Sequence, residues 1–269
     1  MIALALEEDL GPGDITSQLI PVEMEGRARV VARHGLVLAG TSAFVEVFRQ
    51  LDPEVHVEML MSDGASVDDG ATCGEVLGPA RSILMGERTA LNLLQRLSGI
   101  ATRARQAQDL VSGTKARVVD TRKTTPGLRA LEKAAVRAGG AYNHRFGLYD
   151  GVLIKDNHIA AAGGVGAAIE HARARAHHLV RIECECDNLE QVQEALDARV
   201  DVILLDNMSI ETMKRAVQLV GGRALLEASG GITWARLPEV AATGVDFISM
   251  GALTHSVTAA DLSLEWVAA

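Results

Sequence analysis

The apolar positions along this chain change their spacing near residue 116. Before that point, residues 2–10 carry a helical pattern that Gly11, Pro12 and Gly13 stop. Residues 25–33 alternate polar and apolar, as a half-buried strand does. Residues 35–40 and 55–61 read as further strands, with a helix over 41–51 between them. The acidic, glycine-bearing segment 62–71 reads as turns, and a short strand follows near 72–77. Residues 80–111 predict one long helix, with Ser98 and Gly99 as its expected weak point. Short strands with a helix predict a small open sheet under helical cover.

Beyond 116, short β-branched runs recur at 117–119, 152–154, 180–186, 201–205, 224–228 and 245–249, with helical patterns between them. Repeated βα units predict parallel strands joined by right-handed crossovers. An open doubly wound sheet and a barrel share this rhythm. Polar residues favour the barrel. Asp120, Lys155, Asp206 and Ser229 each follow an apolar run, and Glu185 lies near the end of one. In a parallel barrel such positions converge on the mouth at the carboxyl ends of the strands. Residues 258–269 alternate weakly and are expected to return to the first domain. The expected division is an N-terminal domain over 1–98, joined by 254–269, and a βα domain over 99–253.

Composition narrows the partners. The formal net charge is −9 and aromatics make up 3 % of the chain, which argues against a nucleic-acid surface with stacking platforms. No apolar run approaches the ~20 residues that span a bilayer. The start, MIALALEEDL, has acids where a secretion signal has basic residues, so the expected compartment is the cytoplasm. The cysteines, Cys73, Cys184 and Cys186, are odd in number and do not form a disulfide framework. Cys184 and Cys186 alternate with Ile182 on one face of a strand pattern and lack further ligands at metal-site spacing, so they read as small buried hydrophobes.

One stretch departs from the acidic whole. Asp120–His158 holds Arg122, Lys123, Arg129, Lys133, Arg137, Arg145 and Lys155, with His144 beside them. Arg129, Lys133 and Arg137 recur at four-residue spacing, as on a solvated helix face. Arg122 with Lys123, His144 with Arg145, and Lys155 instead sit at element ends, where binding residues concentrate. Local positive charge on an acidic protein suggests a pocket for a small anion. Glu183, Glu185 and Asp187 share the other face of the cysteine-bearing strand, and Asp206 ends VILLDN. Such carboxylates serve a sugar or a magnesium ion, or pair with neighbouring cations. Ser229, Gly230 and Gly231 after LLEA, and Met250, Gly251 and Ala252 after FIS, would let backbone N–H groups approach a phosphate, or form simple tight turns. The run GGVG at 163–166 lacks the full dinucleotide fingerprint and reads as a helix-start turn.

The blocks DTRKTTPGLRALEKAAVRAGG, NHRFGLYDGVLIKDNH, LLDN and GALTHS, in this order, closely resemble the quinolinate phosphoribosyltransferases, over Glu8 to Val257. The resemblance implies an incomplete α/β barrel with an open-faced sandwich domain. It implies that quinolinate and phosphoribosyl pyrophosphate (PRPP), with magnesium, give nicotinate mononucleotide, pyrophosphate and carbon dioxide. Thr121, Arg122, Lys123, His144, Arg145 and Lys155 would grip the two carboxylates of quinolinate. Arg88, in GERTALNLL, would join them from the partner subunit of a homodimer, or of a hexamer built on it. Glu185 and Asp206 would serve the ribose and the metal, and with Lys123 and Lys155 form the catalytic group. The 5′-phosphate would lie at 229–231 and 250–252. Two rivals remain at this stage: a related transferase, such as the nicotinate type or the paralogue found with molybdate transport, and a noncatalytic anion-binding protein on the same scaffold.

Overall fold

The structure, a computed structural model, describes residues 1–267. It divides into two compact units, one of 1–105, 124–140 and the described residues from Leu253 onward, the other of 106–123 and 141–252.

The first unit contains α1 (Ile2–Leu10), β1 (Glu25–Ala32), β2 (Leu36–Val37), α2 (Thr41–Leu51), β3 (His56–Met59), β4 (Ser66–Val67), β5 (Thr72–Pro79) and most of α3 (Ala80–Leu110). In β1, Ala28 and Val30 are buried while Arg27 and Arg29 are exposed, the alternation that one covered sheet face imposes. The segment 62–71, expected as turns alone, also contains β4, which pairs antiparallel with β2. The α2 helix begins where the Asp63 carboxylate accepts the N–H groups of Gly40 (3.1 Å) and Thr41 (3.0 Å), offsetting the free amides of the helix start. It buries Ala43, Phe44, Val47 and Phe48 along one stripe.

α3 is not broken at Ser98 and Gly99. The Ser98 hydroxyl accepts the Ala39 N–H at 3.0 Å, and a Cβ at Gly99 would stand 2.4 Å from the Thr258 carbonyl oxygen. The two residues that looked like a weak point are contact residues of an intact helix.

α4 (Arg129–Ala138) clusters with the first unit, although it lies inside the stretch read from sequence as the βα domain. Close packing accounts for this. A Cβ on Gly139 would lie 2.3 Å from the Ala101 carbonyl oxygen, and the Arg105 Nε donates to the Gly139 carbonyl at 3.0 Å. Glu132 and Lys133 on α4 are buried, so the four-residue spacing of Arg129, Lys133 and Arg137 does not describe a wholly solvated face.

The second unit holds β6 (Arg117–Val119), β7 (Val152–Ile154), α5 (Asp156–Ala162), α6 (Val165–Arg175), β8 (Ile182–Cys186), α7 (Leu189–Asp197), β9 (Val202–Asp206), α8 (Ile210–Val220), β10 (Leu225–Ser229), α9 (Leu237–Ala241) and β11 (Phe247–Ser249); α10 (Ala252–His255) clusters with the first unit from Leu253 onward. Its six strands form one parallel sheet in the order β6-β11-β10-β9-β8-β7. The end strands β6 and β7 do not pair with each other; Tyr142 bridges Val119 on the free side of β6. A parallel sheet with unjoined ends is the incomplete barrel expected. The last strand, β12 (Leu262–Trp266), pairs antiparallel with β1 in the first unit, completing the order β12-β1-β5-β3.

The two-residue period of the second sheet positions the site. Cys184, Cys186, Ile203, Leu205, Leu226, Ala228 and Ile248 are all buried at alternate positions. The intervening positions contain the polar residues of these strands, Glu183, Glu185, Asp206, Glu227, Ser229 and Ser249, beside the apolar Val202, Leu204, Leu225 and Phe247. A charged residue inside an apolar strand therefore marks the face away from the helices.

Candidate active site

Eleven of the residues anticipated for the site line a single cavity of about 630 Å³ in the second unit: Thr121, Arg122, Lys123, His144, Arg145, Lys155, Glu185, Asp206, Ser229, Gly230 and Gly231. They come from the carboxyl ends of different strands and the loops that follow, where a parallel sheet gathers functional groups. Leu153, Leu204, Asn207, Glu227 and Ser249 complete the wall.

Several local devices fix these side chains. Asp120, fully buried just after β6, accepts the Asn143 amide (2.7 Å) and the His144 backbone N–H (2.8 Å), anchoring the loop that carries His144 and Arg145. Arg145 is oriented by its Nη1, which donates to the Gly151 carbonyl at 2.9 Å. The Asp150 carboxylate accepts the N–H groups of Phe146 (2.6 Å) and Gly147 (2.8 Å), closing the turn between them. Burial lowers the Arg145 pKa, and the Arg122 charge adds to this against Glu183 and Asp150. Two guanidiniums close enough to repel make a receptor for a bidentate anion.

Across the cavity, the Lys155 ammonium donates to Glu185 Oε2. Asn207 stands in the left-handed region (φ 51°), where asparagine is tolerated, and its amide nitrogen donates to Asp206 Oδ2 at 2.7 Å. The loop after β10 depends on glycine. Gly230 has φ +83°, and a Cβ there would lie 2.3 Å from Asn207 Oδ1. Beyond this loop the chain enters a 3-10 turn at Trp234–Arg236.

At the floor, His144 Nε2 lies 3.0 Å from Glu183 Oε2 and 3.7 Å from Glu227 Oε1. Its Nδ1 accepts the Arg145 backbone N–H at 2.7 Å. This is the geometry of a neutral ring with its proton on Nε2. Burial works against a charged ring. The hydrogen bond to Glu183 and the charges of Glu227 and Glu183 outweigh burial and raise the His144 pKa, but a second proton would displace the Arg145 N–H. Glu227 is pushed up to about 8 by burial, then by the Glu183 charge, with His144 acting in the opposite sense.

Not every anticipated residue reaches the cavity. Met250, Gly251 and Ala252 do not line it; the Met250 N–H is bound to the Val119 carbonyl at 3.0 Å, and Ser249 stands on the wall instead. Arg88 is exposed on α3, in the first unit. Sequence reading left out Asn207, Glu227 and Ser249. The signal for Glu227 was available: it is a charge inside the apolar run LLEA, at the same strand parity as Ser229.

An incomplete parallel α/β barrel with four cations and several carboxylates around one cavity defines a class, that of enzymes acting on small polyanionic substrates. Comparison with known sequences makes the assignment particular. Residues 100–265 match the quinolinate phosphoribosyl transferase C-terminal domain and residues 14–98 its N-terminal domain. The chain is 48 % identical over 258 residues to the probable nicotinate-nucleotide pyrophosphorylase [carboxylating] of Bacillus subtilis, covering 96 % of this chain and 89 % of that one. It is 41 % identical to a quinolinate phosphoribosyltransferase [decarboxylating] of Nicotiana tabacum, over 98 % of this chain and 81 % of the relative. The solved nicotinate-nucleotide pyrophosphorylase from Francisella tularensis superimposes with a TM-score of 0.96 at 41 % identity, covering 99 % of this chain and 94 % of that one. The chain belongs to the quinolinate phosphoribosyltransferase family.

Proposed function

We propose that this chain transfers the phosphoribosyl group of PRPP to quinolinate with loss of carbon dioxide, giving nicotinate mononucleotide and pyrophosphate for NAD biosynthesis. The observation that carries this reading is the convergence of Arg122, Lys123, Arg145 and Lys155 on one cavity that also contains Glu185 and Asp206. Two guanidiniums and two ammoniums match a dicarboxylate lying against a pyrophosphate. The acids match a sugar whose anomeric carbon becomes cationic.

In this reading Arg122 and Arg145, with Thr121 and His144, hold the carboxylates of quinolinate so that its ring nitrogen faces the ribose. Lys123 and Lys155 offset the charge of the departing pyrophosphate, and Glu185 and Asp206 stabilise the oxocarbenium-like centre. Ser229, Gly230 and Gly231 receive the 5′-phosphate. Holding two anions in reactive contact supplies much of the rate. Magnesium suits Glu185 and Asp206, hard oxygen donors on adjacent strands at one cavity. They would hold it once PRPP draws Lys155 from Glu185, and the ion would supply charge neutralisation on the pyrophosphate. A homodimer in which the exposed Arg88 completes a neighbouring site belongs to the same proposal, as does a hexamer built from such dimers. So does a reducing cytoplasmic setting, consistent with three free, buried cysteines. Among the described residues no helix is long and apolar enough to cross a membrane.

Mixing the protein with quinolinate, PRPP and magnesium is expected to release pyrophosphate and carbon dioxide in equal amounts. Binding of both ligands without pyrophosphate would favour a noncatalytic anion-binding protein. Arg145→Ala is expected to weaken quinolinate binding by about 10- to 100-fold, the loss of a charged hydrogen bond, while PRPP binding changes little. Equal loss for both ligands in titration calorimetry contradicts the assignment of Arg145.

A further inference from the structure

The floor of the cavity is also the wall of a second one. A space of about 250 Å³ lies on the amino-terminal side of the sheet, bounded by Val152, Arg181, Val202 and Phe247 at the starts of their strands or just before them. His144, Arg145 and Glu227 line both spaces. Glu227 is 4 % exposed, and its Oε1 has no hydrogen-bond partner; the same holds for Oε1 of Glu183, 8 % exposed.

The groups facing Glu227 can be counted by element. Leu204 on β9 and Phe247 on β11 are its lateral partners, β8 contributes Glu183, the end of β11 contributes Ser249, and the loop after Tyr142 contributes His144 with Arg145 behind it. The His144 ring offers one N–H, on Nε2, to two carboxylates. Two buried carboxylates beside a neutral ring, in a cavity that must admit a dianion, are untenable unless one carries a proton. Glu227 is the more buried of the two and opens on the substrate side, whereas Glu183 lines only the second space.

This placement answers a need of the reaction proposed above, on which it rests. When the ring-alkylated quinolinate loses carbon dioxide, the carbon–carboxylate bond breaks and its electron pair stays on the ring carbon beside the nitrogen. That carbon must receive a proton before the carbon dioxide returns. We propose that Glu227 is the acid that protonates this ring carbon, and that the second cavity returns a proton to it from solvent. The Glu227 O–H bond breaks as the ring C–H bond forms. The resulting carboxylate, sharing the floor with Glu183, takes up a proton from water on the far side, and no redox partner is involved.

The test follows both products of a single turnover by rapid quench, with quinolinate labelled in the carboxyl group that is lost. In the unaltered enzyme pyrophosphate and carbon dioxide should appear together. Glu227→Gln keeps the size and the neutral charge of the protonated acid, so the fold should be retained. It should keep forming pyrophosphate while carbon dioxide release slows at least 10-fold and the dicarboxylated nucleotide accumulates. A second reading needs no variant: in the unaltered enzyme carbon dioxide should fall behind pyrophosphate as the pH passes about 8. Carbon dioxide in step with pyrophosphate in E227Q, or loss of pyrophosphate in that variant, overturns the assignment. No pyrophosphate from the unaltered enzyme would sink the parent reaction, and this step with it.

Discussion

Glu132 in the first unit and Glu227 in the second are both buried glutamates, and they are treated in opposite ways. Glu132 is fully buried and saturated. Its Oε1 accepts Arg96 Nε at 2.8 Å and Nη2 at 2.6 Å, and its Oε2 accepts the Thr125 N–H at 3.1 Å. Arg96 also reaches the Thr125 hydroxyl (2.7 Å) and the Thr254 carbonyl (3.2 Å), so one ion pair ties three chain segments of its unit together. Glu227 has no guanidinium within ion-pair reach and an oxygen without a partner. A buried charge with all its hydrogen bonds made serves structure. A buried carboxyl left short of partners has an energetic reason to hold a proton, and a cavity in which to use it.

The largest effect should come from breaking the saturated pair. Glu132→Ala removes the carboxylate that holds the partly exposed Arg96 and leaves the Thr125 N–H without its acceptor, and is expected to cost about 2–3 kcal/mol of stability in urea unfolding. A loss under 1 kcal/mol would mean that Arg96 finds a substitute and that the pair is not a tie.

A smaller effect of distinct form is expected at Glu227. Its folded pKa is raised from 4.5 to about 8, so between those values the native state binds a proton that the unfolded chain has released. Stability of the unaltered protein should therefore be greatest below pH ~4.5, as far as this group is concerned, and decline toward pH 8. E227Q cannot titrate there, so its stability relative to the unaltered protein should rise with pH across that window. Parallel denaturation curves at pH 5, 6.5 and 8 check the sign, and a constant difference would mean that Glu227 is ionised throughout. The smallest effect should attend Asn207→Ala. Losing one hydrogen bond to Asp206 is worth about 1 kcal/mol, a few-fold in the KM for PRPP, and alanine in the left-handed backbone at φ 51° should cost about 1 kcal/mol of stability as well.

These contrasts show how unevenly the sequence could be read. The strands of the second unit were legible because β-branched runs separated by helical patterns leave few topologies, and β6 and β7 fall on 117–119 and 152–154 as anticipated. Arg122, Arg145 and Lys155 were legible as strand-end and loop cations within long family blocks. Three features were not. The continuity of α3 through Ser98 and Gly99 depends on Ala39 and Thr258, distant in sequence. The membership of α4 in the first unit depends on α3. The retreat of Met250 from the cavity depends on one hydrogen bond to β6.

By itself, the sequence determined what is periodic and local: the strands and helices, the polar face of the parallel sheet, and which side chains have the charge to hold anions. Only the tertiary structure decided which charges are satisfied. Arg96 meets Glu132 across 36 residues of chain, while Glu183 and Glu227, on strands separated by β9, share a single imidazole. Whether a buried carboxylate is neutralised by a partner or by a proton depends on distances of 3–4 Å between residues far apart in the chain. Strand periodicity carries no information about those distances.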